Sequence, residues 1–385
     1  MKNFIFTFCI FLFLPGVTCA YTPTTTYNDK IRKDPSDWNA RFELAKLYFE
    51  HKQFSAAQYN FEFARANHSV PENITNEIDQ YLTQIRKLKK WDTEFGIGAI
   101  PDASINYTPS NRHECISGIS GPTCYEITDP TSGIGFQING ATNYYKQIYK
   151  NFGLRTTIGG AILNLSKNIP TDYSTHFAIG PRYIFSHGDI SIQPSFGARM
   201  YKNDFYNFSY GVRLNSNLQT WGILFSDIGL DIQRTHYQNH KINSALHGHD
   251  WTFYIHPKYY FDDTGFISLT GALSHNHTEL KALGANTGRI AFGYFQIFPY
   301  GFNFYINAMY SFSEYHATDT RITITTEPST RHDNIYQIYT RIYNSYIEYY
   351  NFIPAIGYTY TIQDSNISQY DLSNHQVSLE LVRMF

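Results

Sequence analysis

The sequence predicts a mainly β protein: a transmembrane antiparallel β-barrel of about 14 strands, preceded by a small α-helical domain. Aromatic residues make up 17% of the 385 residues, with 33 Tyr and 30 Phe, yet the chain is polar on average. Apolar side chains alternate with polar ones along most of the chain, and short connections alternate with long ones. A transmembrane barrel combines these features, because its strands are apolar on one face only and aromatic residues gather at both membrane interfaces.

The composition also argues against several classes of protein. The chain has no run of about 20 apolar residues, which a transmembrane helix requires. The formal net charge is −2 and there is no basic stripe, so we expect no nucleic-acid partner. From composition alone, a soluble Tyr-rich β-sandwich stays open as an alternative.

Residues 1–20 have the features of a signal peptide. Lys2 supplies a positive start, and the apolar run from Phe4 to Leu14 is too short to span a bilayer. We expect cleavage after Ala20. Cys19 offers a lipoprotein alternative, but the residues before it make a poor lipidation signal because the usual leucine is missing.

Cys115 and Cys124 are the cysteines that remain after this cleavage. They lie close together in a stretch rich in Gly, Pro and Ser, in a chain exported to an oxidising compartment. A disulfide that closes a small loop is the favoured interpretation. A zinc or redox site is not expected, because the spacing is not Cys-x-x-Cys.

Residues 21–90 form the predicted helical domain. Asp37 is a candidate cap, and apolar residues then recur at intervals of three to four. The pattern resembles one tetratricopeptide repeat, at Leu44, Ala45, Tyr48, Ala57, Phe61 and Ala64. One repeat cannot bury a continuous core alone, so we expect it to pack on a third helix at about 72–89 or against the barrel. A peptide-binding groove is the favoured role, and a plug or spacer is the alternative.

Residues 91–385 form the predicted barrel. Apolar positions recur every second residue from about residue 93 onward, most clearly in 190–200, 208–215 and 266–274. In such strands the apolar face meets lipid and the polar face lines a wet lumen. The polar residues that we expect in the lumen are Arg199, Arg213, Asp227 and Asp231.

Short predicted turns alternate strictly with long polar loops. The short turns lie at 149–151, 186–189, 219–222, 262–265 and 299–301. The long loops lie at about 108–133, 165–173, 236–248, 277–288, 317–332 and 364–375. Short turns of outer-membrane barrels are periplasmic and long loops extracellular. We therefore expect the helical domain in the periplasm and the predicted disulfide in the first extracellular loop.

The start of the predicted barrel carries a family resemblance. Residues 101–106 read Pro-Asp-Ala-Ser-Ile-Asn, which resembles the hallmark Pro-Asp-Ser-Asn-Ile-Asn of the surface lipoprotein assembly modulators, or Slam proteins. Pro101, Asp102, Ile105 and Asn106 match the hallmark, and the two residues between them depart from it.

The C-terminal part is similar to the same family at residues 331–333, 352–354 and 365–367. The closing Phe385, after an alternating strand, resembles the signal by which barrel precursors are recognised for assembly. The resemblance covers essentially the whole mature chain, in the order of a periplasmic repeat domain followed by a barrel.

The resemblance implies an outer-membrane translocator rather than an enzyme. Such a protein delivers client surface lipoproteins, or related secreted proteins, to the cell surface. The expected partners are the client, periplasmic chaperones, the barrel-assembly machinery and outer-membrane lipid, with no cofactor. A passive porin-like channel with a periplasmic partner-binding domain stays open as an alternative. A barrel enzyme is a third, although no Gly-x-Ser-x-Gly, P-loop or His-Glu-x-x-His motif occurs.

Histidines gather in two adjacent predicted loops or strand ends, at His236, His240, His247, His249, His275 and His277. Two His-x-His pairs are compatible with a transition-metal site. Loop histidines at a barrel rim are more often polar surface, so we expect no metal.

Overall fold

The computed structural model describes residues 22–101, 113–118, 121–126, 134–164, 171–201, 204–220, 223–238, 245–318, 329–347 and 352–383. The predicted signal peptide at 1–20 lies outside these residues, as do Asp102, Ile105, Asn106 and Phe385.

Four helices precede the barrel: α1 Thr22–Lys33, α2 Trp38–Glu50, α3 Phe54–Ala66 and α4 Glu72–Leu88. Asp37 caps α2 by accepting a hydrogen bond from the Ala40 backbone N–H at 2.8 Å. Helices α2, α3 and α4 share one apolar core, in which the ring of Phe61 stacks on that of Tyr81 at 4.9 Å. Among the described residues, no helix is both long enough and apolar enough to cross a membrane.

The barrel is closed and antiparallel, with 14 strands, as the sequence predicts. Two further strands, β2 and β3, form a separate hairpin. The strands are β1 Trp91–Pro101, β2 His113–Gly118, β3 Gly121–Glu126, β4 Ile134–Tyr149, β5 Phe152–Asn164, β6 Asp172–Phe185, β7 Gly188–Tyr201, β8 Asp204–Thr220, β9 Leu224–Tyr237, β10 Gly248–Tyr260, β11 Gly265–Thr278, β12 Ala285–Ile297, β13 Phe302–Tyr315, β14 His332–Asn344, β15 Phe352–Ser365 and β16 Leu372–Arg383. Strands β1 and β16 meet and close the barrel.

Side chains alternate along each strand between the two faces of the barrel wall. The outward face carries exposed large apolar side chains, such as Ile190, Ile192, Phe196, Val212, Leu269 and Leu273. The inward face carries buried polar side chains, such as Ser191 and Gln193 of β7. The outer surface therefore suits hydrocarbon and the lumen suits water.

The five predicted short turns all lie at one end of the barrel, which we call the short-turn mouth. One of them, between β12 and β13, needs a glycine at Gly301, whose φ is +77°. A sixth connection at this end, between Asn344 and Phe352, was not predicted from the sequence.

The predicted strict alternation of loop lengths is wrong at more than one connection. The β14–β15 connection at the short-turn mouth, 345–351, is longer than the connections 279–284 and 366–371 at the other end. Strand β7 ends at Tyr201 and β8 begins at Asp204, although this connection lies at the end that otherwise carries the longer loops. The ladder between them shifts register between Arg199 and Met200, close to this connection. Such a bulge twists the strands locally, which helps the chain to turn with few residues.

Candidate functional site: the short-turn mouth

The helical domain docks on the short-turn mouth of the barrel. Helix α4 ends at Leu88 and β1 begins at Trp91, so the two parts are joined by a very short link. The helices contact turns and a strand end around the rim, at Ser186, Gln219, Asp263 and Ser345. The helical domain is therefore held at several points of this rim.

Glu62 of α3 forms the most buried polar contact between the helices and the barrel. Its Oε2 accepts a hydrogen bond from the Tyr260 hydroxyl at 2.7 Å and lies 3.6 Å from the Lys258 ammonium. Its Oε1 accepts from Gln58 on the same helix at 2.8 Å. The Glu62 side chain is only 8% exposed. A buried carboxylate is tolerated here because cationic and hydroxyl partners lie around it.

Phe63 forms the apolar centre of the same interface. The ring is fully buried and lies against three barrel residues, with centroids 4.9 Å from Tyr260, 6.2 Å from Phe295 and 6.5 Å from Phe266. Helix α3 thus turns Phe61 towards its neighbouring helices and Phe63 towards the barrel wall. The aromatic cluster supplies the apolar burial that holds the helical domain in place.

The end of α4 is held by polar contacts. The Arg86 guanidinium donates to the Ser186 carbonyl at 2.7 Å and to the Gln219 side chain. Gln219 in turn donates to Asp79 of α4 at 3.2 Å. The Arg86 carbonyl accepts from Arg182 of β6 at 3.3 Å. Burial is the largest influence on the Arg86 guanidinium, and it lowers the pKa of this group.

Beneath this contact, Arg182 forms a buried ion pair with Asp189 of β7 at 2.7 Å. The two side chains are 7% and 4% exposed. The Arg182 guanidinium also lies over the ring of Tyr145, at 4.2 Å from its centroid. This ion pair links adjacent strands where α4 docks.

The turn between β10 and β11 provides a third contact. Asn67 donates to the Asp263 carboxylate at 2.8 Å. Burial raises the pKa of Asp263, and the hydrogen bond from Asn67 and the nearby Arg41 partly oppose that rise. Arg41 is 2% exposed and its pKa is lowered by burial. Its Nη2 has no hydrogen-bond partner, so this guanidinium is incompletely satisfied where the helices meet the barrel.

Three of the four residues expected in the lumen form ion pairs between strands. Arg213 lies 2.8 Å from Asp231, its register partner on β9. Arg199 lies 2.5 Å from Asp172 of β6, near the longer loops. Asp227 lies opposite His256 of β10. The structure therefore does not bring these residues together into one site.

The wall of the lumen carries a further polar network that sequence reasoning did not identify. Gln193 donates to the Arg155 carbonyl and to the Thr157 hydroxyl, both at 3.2 Å. Thr157 and the Arg155 guanidinium donate to Asn143, at 2.8 Å and 3.1 Å. These groups belong to β4, β5 and β7, so the polar lining is continuous across several strands.

Of the four residues that match the hallmark, only Pro101 lies within the described part of the chain. It ends β1, and its backbone lies opposite Ile134 of β4. Cys115 and Cys124 are direct register partners in the β2–β3 hairpin. Directly opposed positions are within reach of a disulfide, which stays a prediction.

The histidine cluster lies at the end of the barrel remote from the helices. The rings of His249 and His277 stack at 4.8 Å, and those of His275 and His316 lie 5.0 Å apart. His249 shares the outward face of β10 with Trp251. His240 is outside the described residues. Among the described residues, no three side chains are grouped in a way that would hold a metal ion.

A closed antiparallel barrel with an apolar outer surface and a polar lumen defines an integral outer-membrane barrel protein. A family model described as "Surface lipoprotein assembly modifier" matches residues 91–385, from the first barrel residue onward. The chain belongs to this family. Its role therefore lies in the assembly of surface lipoproteins at the outer membrane, and the family is not an enzyme class.

The chain is also similar to solved outer-membrane barrels. It is 8% identical to a CymD monoaromatic hydrocarbon channel, at a TM-score of 0.39, over 83% of this chain and 94% of the channel. It is 9% identical to OmpT of Vibrio cholerae, at a TM-score of 0.38, over 77% of this chain and 98% of OmpT. These likenesses are too low to carry an argument about function. Among curated proteins, no relative matches the sequence.

Proposed function

We propose that the chain is a translocator that delivers client surface lipoproteins to the cell surface through or along its barrel. The proposal is supported by a polar lumen with a helical domain docked at one mouth, in a barrel whose family assembles surface lipoproteins. A transport path needs both a wet interior and a means of keeping it shut between clients.

The helical domain is the proposed gate. Hydrogen bonds at Glu62, Asn67 and Arg86 hold the helices to the barrel, and Glu62 also forms an ion pair with a barrel lysine. A client, or the chaperone that carries it, binds the helices and replaces these contacts with its own. A ligand that binds the undocked helices more tightly than the docked ones shifts the equilibrium towards the open mouth.

The proposed orientation places the helical domain in the periplasm. The helices lie at the short-turn mouth, and short turns of such barrels are periplasmic. The hairpin with Cys115 and Cys124 then belongs to the first extracellular loop, where a disulfide is stable. Periplasmic chaperones and the barrel-assembly machinery complete the proposed set of partners.

The test is surface display of a lipoprotein encoded beside this chain, in a host that lacks any relative. Intact cells are probed with antibody and with external protease. We expect exposure of the lipoprotein only when the chain is present, and loss of exposure when residues 29–90 are deleted. Heat-modifiable migration of the barrel shows that it is folded in each case.

If the neighbouring lipoproteins all stay internal while the barrel is folded in the membrane, the translocator proposal fails. The porin-like channel then takes its place. That alternative predicts a steady ion conductance from the full chain, with no dependence on a lipoprotein.

A further inference from the structure

Within the part of the chain that the structure describes, strands β1 and β16 are paired over a shorter length than the other neighbouring strands of the barrel. Their ladder contains Ile97 opposite Leu381, Gly98 opposite Glu380 and Ala99 opposite Leu379. By contrast, β1 pairs with β4 along its full length, from Trp91 to Pro101. We call the β1–β16 junction the seam. Among the described residues, this ladder therefore provides fewer backbone hydrogen bonds than the ladder between β1 and β4.

The inner side of the seam faces a cavity that carries charged side chains. This cavity of about 610 Å³ lies in the lumen and is lined among others by Glu94, Gly98, Tyr339, Arg341 and Glu380. A Cβ added at Gly98 would meet only the Leu379 carbonyl, at 3.9 Å. The inner face of β1 thus leaves free space at Gly98, beside the short described ladder of the seam.

Among the described residues, the side-chain hydrogen bonds of Glu380 lie on one side of the seam. The Glu380 carboxylate accepts from the Tyr339 hydroxyl at 2.9 Å and from the Ser378 hydroxyl at 2.7 Å. Both donors are on the β16 side of the seam. The partner of Glu380 across the seam is Gly98, which has no side chain.

The outer side of the seam is apolar. Val377, Leu379 and Leu381 of β16 are 43%, 55% and 39% exposed on the lipid-facing surface. A molecule that straddled the seam would therefore meet hydrocarbon on one side and a polar cavity on the other.

We infer that the seam opens laterally and that it takes the lipid-modified end of the client. The inference rests on the proposed function. A lipoprotein joins a polar chain to acyl chains, and moving acyl chains out of hydrocarbon costs free energy for every methylene. An open seam keeps the acyl chains in the bilayer while the attached polypeptide passes along the polar cavity.

The test is a reversible lock on the seam. Ala99→Cys with Leu379→Cys places two cysteines at directly opposed outward positions, where a disulfide forms on oxidation. The matched control is Leu269→Cys with Phe292→Cys, opposed outward residues of β11 and β12. Surface display of the lipoprotein is measured before oxidation, after oxidation and after reduction.

We expect the locked seam to lose display of the lipidated client and to regain it on reduction, with the control unchanged. A client without its lipid-attachment cysteine should still reach the outside when the seam is locked. Equal display of the lipidated client with the seam open and locked overturns the inference, as does equal loss of both client forms. Absence of display with the unmodified chain contradicts the proposed function instead.

Discussion

Removing the ring of Phe63 should open the short-turn mouth. Phe→Ala changes at buried sites cost about 3 to 5 kcal/mol. The low end applies here, because part of the Phe63 contacts are with Tyr59 and Arg41 of the helical domain itself. These contacts exist in both the docked and the undocked state, so they do not contribute to docking. A loss of about 3 kcal/mol raises the ratio of undocked to docked protein about 150-fold.

The assay is ion conductance of the purified chain in planar lipid bilayers. We expect the unmodified chain to be mostly closed and Phe63→Ala to show frequent open events. The matched control is Phe152→Ala, which truncates a 56% exposed ring on the outer surface at the same end of the barrel. Circular dichroism checks that the helices remain folded. Equal conductance of Phe63→Ala and the unmodified chain would refute the role of this ring as the anchor of a plug.

Three further predictions follow from single contacts. Arg182→Ala leaves Asp189 buried without its cation, which should cost about 3 to 5 kcal/mol and lower the urea midpoint of barrel unfolding; an unchanged midpoint would contradict the pairing. Gly301→Ala should destabilise the barrel by about 1 to 2 kcal/mol, measured by thermal unfolding, because φ is +77° and a Cβ would meet Tyr346 at 2.7 Å. After mild reduction, an impermeant maleimide should label Cys115 in intact cells; labelling only after permeabilisation would invert the proposed topology.

The barrel is well predicted because the membrane imposes a simple rule on every strand. Each outward position must meet lipid, so Ile190 and Ile192 are apolar while Ser191 between them is polar and buried. The turn at 299–301 is likewise marked in the sequence, since Gly301 occupies a backbone conformation that favours glycine. Both features depend on local sequence alone.

The docking of the helices was not predictable in the same way. Glu62 and Tyr260 are 198 residues apart, and no local pattern links a carboxylate in a helix to a hydroxyl in a strand. One signal was present in α3, where Phe61 and Phe63 lie two residues apart and so point to different sides of a helix. A helix with buried aromatic residues on two sides needs two packing partners. The second partner is the barrel.

The proposed function requires the helical domain to leave the mouth when a client passes. Asn67→Cys with Asp263→Cys places two thiols across the docking contact, where the native side chains lie 2.8 Å apart. A short bis-methanethiosulfonate reagent then links the helices to the barrel, and a reductant releases them. Asn67→Cys alone, treated in the same way, is the control. We expect linkage to abolish surface display of the lipoprotein and reduction to restore it. Undiminished display with the helical domain linked in the mouth would contradict the proposed function.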